Sequence, residues 1–249
     1  MSPRLLSCAL LAVIAGCGRE AVAPAPRVAR VFAAASLTAV FTSLAAAFEK
    51  EHPDTKLDLH FAGTPSLVMQ VQQGERPAVF ASADEANMQK LVDARVLVGD
   101  PRIFASNGLA IVVRPGNPAS IHRLADLATP GLKVALCGPE VPAGRYARQA
   151  LGKAGVAVSS VSDEPNVKAL VTKVQLGELD AGIVYRTDGH GLDGKVTLVD
   201  VAPEHDVVAK YPIAGTIDAY GADVGARFVQ FVFSPVGQNI LQSFGFRAR

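Results

Sequence analysis

At 249 residues the chain is long enough for one large domain or two medium ones, with ample core either way. Its composition, 49% apolar and 19% charged, excludes a disordered polyelectrolyte. A formal charge of +1 gives no electrostatic basis for binding nucleic acid.

The first segment reads as an export signal. Arg4 supplies a positive start, and residues 5–16 are predominantly apolar but too short to cross a bilayer. The run ends in Ile14-Ala15-Gly16-Cys17, which resembles the lipobox of bacterial lipoproteins. That resemblance implies a signal peptide over 1–16, cleavage before Cys17 and a diacylglycerol on its sulfur. The alternative is ordinary signal cleavage beside an incidental cysteine. A lipid at Cys17 would hold the protein on the outer face of a membrane without spanning it. Cleavage would also remove Cys8, which leaves Cys137 as the remaining thiol and no intramolecular disulfide. Residues 17–27, with the Pro/Ala-rich run GREAVAPAPR, read as a tether. Past the signal, no run is apolar and long enough for a transmembrane helix.

The rest of the chain alternates short apolar stretches with amphipathic ones. Strands are expected at 30–34, 56–61, 79–82, 110–113, 133–136, 182–185, 196–200 and 211–217. Helices are expected at 37–51, 65–73, 85–94, 121–127, 143–153, 167–177, 222–233 and 235–244. This alternation argues for parallel α/β sheets. Ser36 is expected to cap the first helix, and Thr64 to cap a helix with Pro65 at its first position. Ser82 and Glu85 have capping-box spacing, and Asn166 is placed to cap the helix from Val167. Helix capping alone explains each of these.

Catalytic and metal-binding patterns are missing. The histidines His52, His60, His122, His190 and His205 are scattered, and Cys137 has no cysteine partner for zinc. Neither G-x-S-x-G, a P-loop nor GxGxxG occurs. The stretch TDGHGLDG at 187–194 lacks the glutamate and spacing of a calcium loop and reads as a surface turn. What remains is a series of helix starts preceded by small residues. Each presents unpaired N–H groups and the positive end of a dipole worth about half a charge. Several converging would bind an anion without a cation, and the hydroxyls of Ser36, Thr64 and Tyr185 could add donors. Such a site suits an anion that only accepts hydrogen bonds. Spacing alone does not say whether these ends converge.

The motifs VFAAASLT (31–38), FAGTPSL (61–67), FASAD (80–84), GPEVPAGRYA (138–147) and GIVYRTD (182–188) occur in an order that resembles the periplasmic molybdate-binding proteins of ABC importers. The likeness runs from Val31 to the closing SFGF at 243–246. It implies a two-lobed type II periplasmic-binding-protein fold, each lobe a mostly parallel α/β sheet flanked by helices, with the ligand in the cleft between them. One lobe would take residues 28–106 plus 215–249 and the other 107–214. The resemblance implies that a tetrahedral oxyanion is held by Ser36, Thr64, Tyr185 and the backbone at Ala35, Thr64, Ala143 and Val167. The metal would arrive inside the oxyanion, with no direct ligation by the protein.

The resemblance further implies an exported, lipid-anchored monomer that captures molybdate and tungstate for an ABC permease, with no cofactor and no catalysis. The alternatives are a carrier of sulfate or another tetrahedral oxyanion, or an exported enzyme on the same fold. Two departures stand out. Pro65 removes an N–H at a helix start, and Val79 stands where the family usually has an aspartate.

Overall fold

The computed structural model describes residues 26–248; the expected signal peptide, the anchor at Cys17 and most of the tether lie outside them. The chain opens with β1 (Arg27–Ala34), α1 (Thr38–Glu51), β2 (Thr55–Ala62), α2 (Thr64–Gln72), β3 (Val79–Ala81), α3 (Glu85–Asp93) and β4 (Leu97–Asn107). A second group follows: β5 (Leu109–Val113), β6 (Val134–Cys137), α4 (Pro142–Lys153), β7 (Asp163–Glu164), α5 (Val167–Gln175), β8 (Ala181–Tyr185) and β9 (Thr197–Asp200). The chain then returns through β10 (Ala209–Thr216), α6 (Ala222–Phe233), α7 (Pro235–Ser243) and β11 (Arg247–Ala248). Among the described residues no helix is long and apolar enough to cross a membrane.

The strands form two sheets, ordered β11-β4-β10-β3-β1-β2 and β7-β6-β8-β5-β9. Strand–helix–strand connections make β1 parallel to β2 and β3, and β6 parallel to β7 and β8. The remaining pairings, β10 with β3 and β4, β11 with β4, and β5 with β8 and β9, are antiparallel. The two-lobed α/β architecture is therefore as expected, but the sheets are mixed rather than mostly parallel. The physical reason lies in the crossovers. A chain that leaves one sheet and comes back supplies strands of opposite direction, β4 outward and β10 inward.

Three further differences concern local structure. β4 spans 11 residues where no strand was expected, because Gly99, Asp100 and Pro101 interrupt its pattern. It exists because β10 pairs along it, with two register irregularities. The helix expected at 121–127 shortens to a 3-10 turn at Leu124–Ala128. Its first residues are instead held as a loop, where Asn117 Nδ2 donates to the Ile121 carbonyl at 2.8 Å and Ile121 N–H donates to Asn117 Oδ1 at 3.0 Å. Finally, β10 pairs with β3 and β4 from Ala209 onward. Residues 209–214 thus join the first sheet, not the second lobe where the expected boundary put them.

Each sheet buries its own apolar residues. Beside the first, Phe41, Phe48, Phe104 and Phe228 are fully buried, with Phe228 edge-on to Phe48 at 5.4 Å and to Phe41 at 5.9 Å. Val79, in place of the family's aspartate, is completely buried between Val31 and Gly215, so an apolar side chain suits that position. In the second, every residue of β5 and β8 is buried. The two crossovers are tied together. Asp206 Oδ1, on the return crossover, accepts from the Leu109 N–H at 2.9 Å on the outward one and from Val207 N–H at 2.8 Å. Their attachment keeps the strand ends of both lobes aimed at a shared cleft, the place where open α/β sheets bind ligands.

Candidate functional site

The alanines at the end of β1 are all buried, and they leave the backbone unshielded where the strand turns into a 3-10 turn at Ala35–Leu37 before α1. Ser36 lies inside this turn and does not cap the helix, because the tighter turn moves the α-helical N-cap on to Leu37. Its hydroxyl has another contact: Tyr211 Oη on β10 donates to Ser36 Oγ at 3.4 Å. With the oxygen accepting from Tyr211, the Ser36 proton is free to donate elsewhere.

Helix α2 is shifted by one residue from expectation. Gly63 is the N-cap, with Thr64 and Pro65 as the first two helical residues. Pro65 therefore occupies a position whose N–H lacks an intrahelical acceptor in any case, and the departure costs the helix nothing. Gly63 is required by its neighbour. A Cβ there would lie 2.4 Å from the Pro165 carbonyl oxygen, which belongs to the other lobe. Thr64 is buried, and its Oγ1 meets the Ala83 N–H at 3.5 Å. Ser82 does not form the expected capping box with Glu85. Asp84 caps α3 by accepting from Asn87 N–H at 2.9 Å, because it stands directly before the first helical residue.

The second lobe contributes α4, α5 and the end of β8. Pro142 opens α4, with Ala143 next, and Gly144 lets the helix start press against the preceding loop. A Cβ on Gly144 would fall 2.2 Å from the carbonyl oxygens of both Cys137 and Gly138. Asn166 caps α5 as expected, its Oδ1 accepting from Ala169 N–H at 3.0 Å. Tyr185 ends β8 fully buried, edge-on to Tyr211 at 5.6 Å, and its hydroxyl has no hydrogen-bond partner. Burial, reinforced by Tyr211, pushes the Tyr185 hydroxyl well above its ordinary pKa, so it stays protonated and remains a donor.

These pieces meet. Ala35, Ser36, Thr64, Ala143, Val167 and Tyr185 all line one cavity of about 20 Å³, completed by Ala34, Gly63, Ala83, Val141, Pro142 and Asn166. Two helix starts come from each lobe. No charged residue is among the lining residues, and among the described residues no cluster of His, Cys, Asp and Glu could hold a metal ion. The cavity thus offers first-turn N–H groups and the hydroxyls of Ser36, Thr64 and Tyr185, which are donors. Chemically it can take a small acceptor-only anion by neutral hydrogen bonds. A protonated anion would find no carboxylate to accept its proton.

Charges lie one layer out, and the residue pattern did not mark them as part of the site. Arg145 on α4 donates to Asp84 at 2.5 Å, and Lys168 on α5 lies 3.8 Å from Asp188. Asp188 sits in the stretch expected to be a surface turn, yet it is completely buried, because the Tyr185 N–H donates to its Oδ2 at 3.0 Å and draws it under the strand end. Burial pushes the Asp188 carboxyl up to about 6, while Lys168 and the Tyr185 N–H pull it down. Cys137, also buried, has its thiol pushed well up by burial, so it is a packing residue and not a nucleophile.

Two outcomes follow from this geometry. Gly63→Ala should leave each lobe folded but prevent the lobes from meeting; small-angle X-ray scattering should give a larger radius of gyration and circular dichroism an unchanged helix content. An equally compact variant would contradict the close approach to Pro165. The second concerns Asp188, whose native pKa of about 6 exceeds its ordinary 3.8. The native state therefore holds the proton more tightly than the unfolded state, so this group's contribution to stability is present below about pH 4 and is lost as pH rises through about 6. Denaturant unfolding from pH 4 to 7 should show that loss in the parent and its absence in Asp188→Asn; parallel profiles would contradict it.

A family described as bacterial extracellular solute-binding protein matches residues 29–247. The molybdate-binding protein ModA of Mycobacterium tuberculosis is 37% identical over 253 residues, covering 99% of this chain and 97% of the relative. Among solved structures, the periplasmic molybdate-binding protein of Azotobacter vinelandii superimposes with a TM-score of 0.78 at 17% identity, covering 89% of this chain and 99% of that one. The sulfate-binding protein SubI of Mycobacterium tuberculosis gives 0.80 at 17% identity over 89% of this chain and 86% of that one. These two likenesses establish the two-lobed fold, and the match over 29–247 establishes the lineage. The chain belongs to the bacterial extracellular solute-binding protein family, whose members bind solutes and are not enzymes.

Proposed function

We propose that the protein captures molybdate, with tungstate as a second ligand, and delivers it to the membrane permease of an ABC importer. The observation that carries this reading is the Tyr185 hydroxyl, fully buried without a partner in a cavity lined by helix starts. An unpaired buried donor is costly, and an anion that accepts from it removes that cost. The oxyanion is held by the hydroxyls of Ser36, Thr64 and Tyr185 and by backbone N–H groups at Ala35, Thr64, Ala143 and Val167. The extensive identity to a molybdate-binding relative supports molybdate as the ion. Hydrogen bonds to a dianion are charge-assisted, and donors already in place replace its hydration shell with little reorganisation.

Size sets selectivity in this scheme. Sulfate has the same charge and shape with shorter bonds, so donors set for the larger ion would stand too far from its oxygens. Each unmade bond costs about 1–3 kcal/mol. Ligand bridges the two lobes and favours the closed arrangement that the permease recognises. A diacylglycerol on Cys17, followed by the tether, keeps the carrier at the outer face of the membrane.

Thermal unfolding with molybdate, tungstate, sulfate and phosphate tests the ligand. Molybdate at 100 times its Kd should add about 2.7 kcal/mol of stability. Absence of any shift with molybdate or tungstate rejects the proposal, and equal Kd values for sulfate and molybdate by calorimetry favour a general oxyanion carrier. Tyr185→Phe should weaken molybdate by about 10- to 100-fold, the worth of a hydrogen bond to a charged group. It should leave the ligand-free protein at least as stable, since it deletes an unpaired hydroxyl. For the anchor, Cys17→Ser should release the protein from the membrane fraction; unchanged membrane association would reject lipidation at that cysteine.

A further inference from the structure

We infer that Arg145 and Asp84 form a latch between the lobes, which sets how long the ligand is retained without touching it. The two residues come from opposite sides of the cleft. Asp84 caps α3 beside the first sheet, and Arg145 lies on α4 beside the second. Neither lines the cavity. The Asp84 carboxylate bonds on both sides. Within the first lobe Asn87 donates to it, from its N–H to Oδ1 at 2.9 Å and from Nδ2 to Oδ1 at 3.0 Å and Oδ2 at 3.2 Å. Across the cleft, Oδ2 also accepts from Arg145 Nη1 at 2.5 Å. The Glu140 carbonyl reinforces the crossing, accepting from Arg145 Nη2 at 3.2 Å and from Asn87 Nδ2 at 3.4 Å. Lys90 of α3 also stands 3.8 Å from Glu140.

Burial makes this pair sensitive to closure. The Asp84 side chain is 1% exposed and that of Arg145 27%. The carboxylate is desolvated and the guanidinium partly so while the lobes touch, and parting would return both to water. Removing the guanidinium therefore leaves the buried carboxylate with its Asn87 hydrogen bonds but without a compensating cation in the closed arrangement. The penalty falls on closure and not on the fold of either lobe. If ligand is held only in the closed arrangement, its apparent Kd rises in inverse proportion to the closed fraction. Arg145 is thus a positioning residue, acting through the lobe contact.

The inference rests on the oxyanion-carrier reading for its probe ligand, and the experiment keeps the two apart. Molybdate dissociation would be followed by stopped flow for the parent, Arg145→Gln and Arg145→Lys, with ligand-free scattering on the same three proteins. Arg145→Gln should dissociate about 10- to 100-fold faster, with association changed less than about threefold. Arg145→Lys, which keeps the charge, should recover most of the loss. A dissociation rate for Arg145→Gln within about twofold of the parent overturns the latch, and so does equal impairment of the Gln and Lys variants, which would mark a packing role. If molybdate fails to bind even the parent, the carrier reading fails and scattering decides the latch. Its radius of gyration should be larger for Arg145→Gln than for the parent; an unchanged value overturns it.

Discussion

Backbone N–H groups in the first turn of a helix have no intrahelical acceptor, and in this protein residues from several helix starts line one cavity that contains no charged residue. Much of the surrounding structure serves that arrangement. The alanines before α1 keep side chains out of the way. Gly144 lets the start of α4 sit on its own loop, and Gly63 admits the Pro165 carbonyl from the opposite lobe. The hydroxyls follow the same logic. Tyr211 supplies a proton to Ser36, so Ser36 keeps its own for the cavity, and Tyr185 is left with nothing else to bond. Donors without acceptors are unfavourable by themselves, which is the physical basis of the proposed anion binding.

Arg145 and Lys168, each on a helix whose start lines the cavity, are paired with buried carboxylates, Arg145 with Asp84 and Lys168 with Asp188. The proposed anion site would therefore work by dipoles and hydrogen bonds in a neutral surrounding. A bare arginine or lysine in the cavity would hold many anions by charge alone. Fixed neutral donors instead demand the right number of acceptor oxygens at the right distances, which makes shape and size the discriminating quantities. The carboxylates differ in their attachment. Asp188 belongs to the same lobe as Lys168, whereas Asp84 and Arg145 face each other across the cleft, so only the second pair depends on the lobes touching.

Much of the fold was legible in the sequence, for reasons that individual elements illustrate. Strands β1, β5 and β8 are short apolar runs bounded by turn residues, and helices α1, α4 and α5 have amphipathic spacing with start signals. Asn166 was correctly placed as a cap because an Asx residue before a periodic run has few other uses. Ser36, Thr64 and Ser82 were misplaced by one or two residues, since a 3-10 turn, a glycine cap and an aspartate cap compete for the same local signal. β4 was invisible: Gly99-Asp100-Pro101 breaks its pattern, and only its pairing with β10 makes it a strand.

By itself the sequence determined which residues could donate to an anion, because hydroxyls, small residues and helix starts are local chemistry. It also determined the α/β class, through alternation of short apolar and amphipathic stretches, while the division into two lobes came from the family resemblance. Only the tertiary structure decided that Ser36, Thr64, Ala143, Val167 and Tyr185 line one cavity. It alone buried Asp188 beneath Tyr185, drew β10 into the first sheet and set Asp84 against Arg145. The reason is physical: convergence, burial and pairing across a cleft depend on two chain crossovers, and no periodicity within a segment encodes the distance between segments far apart in the chain.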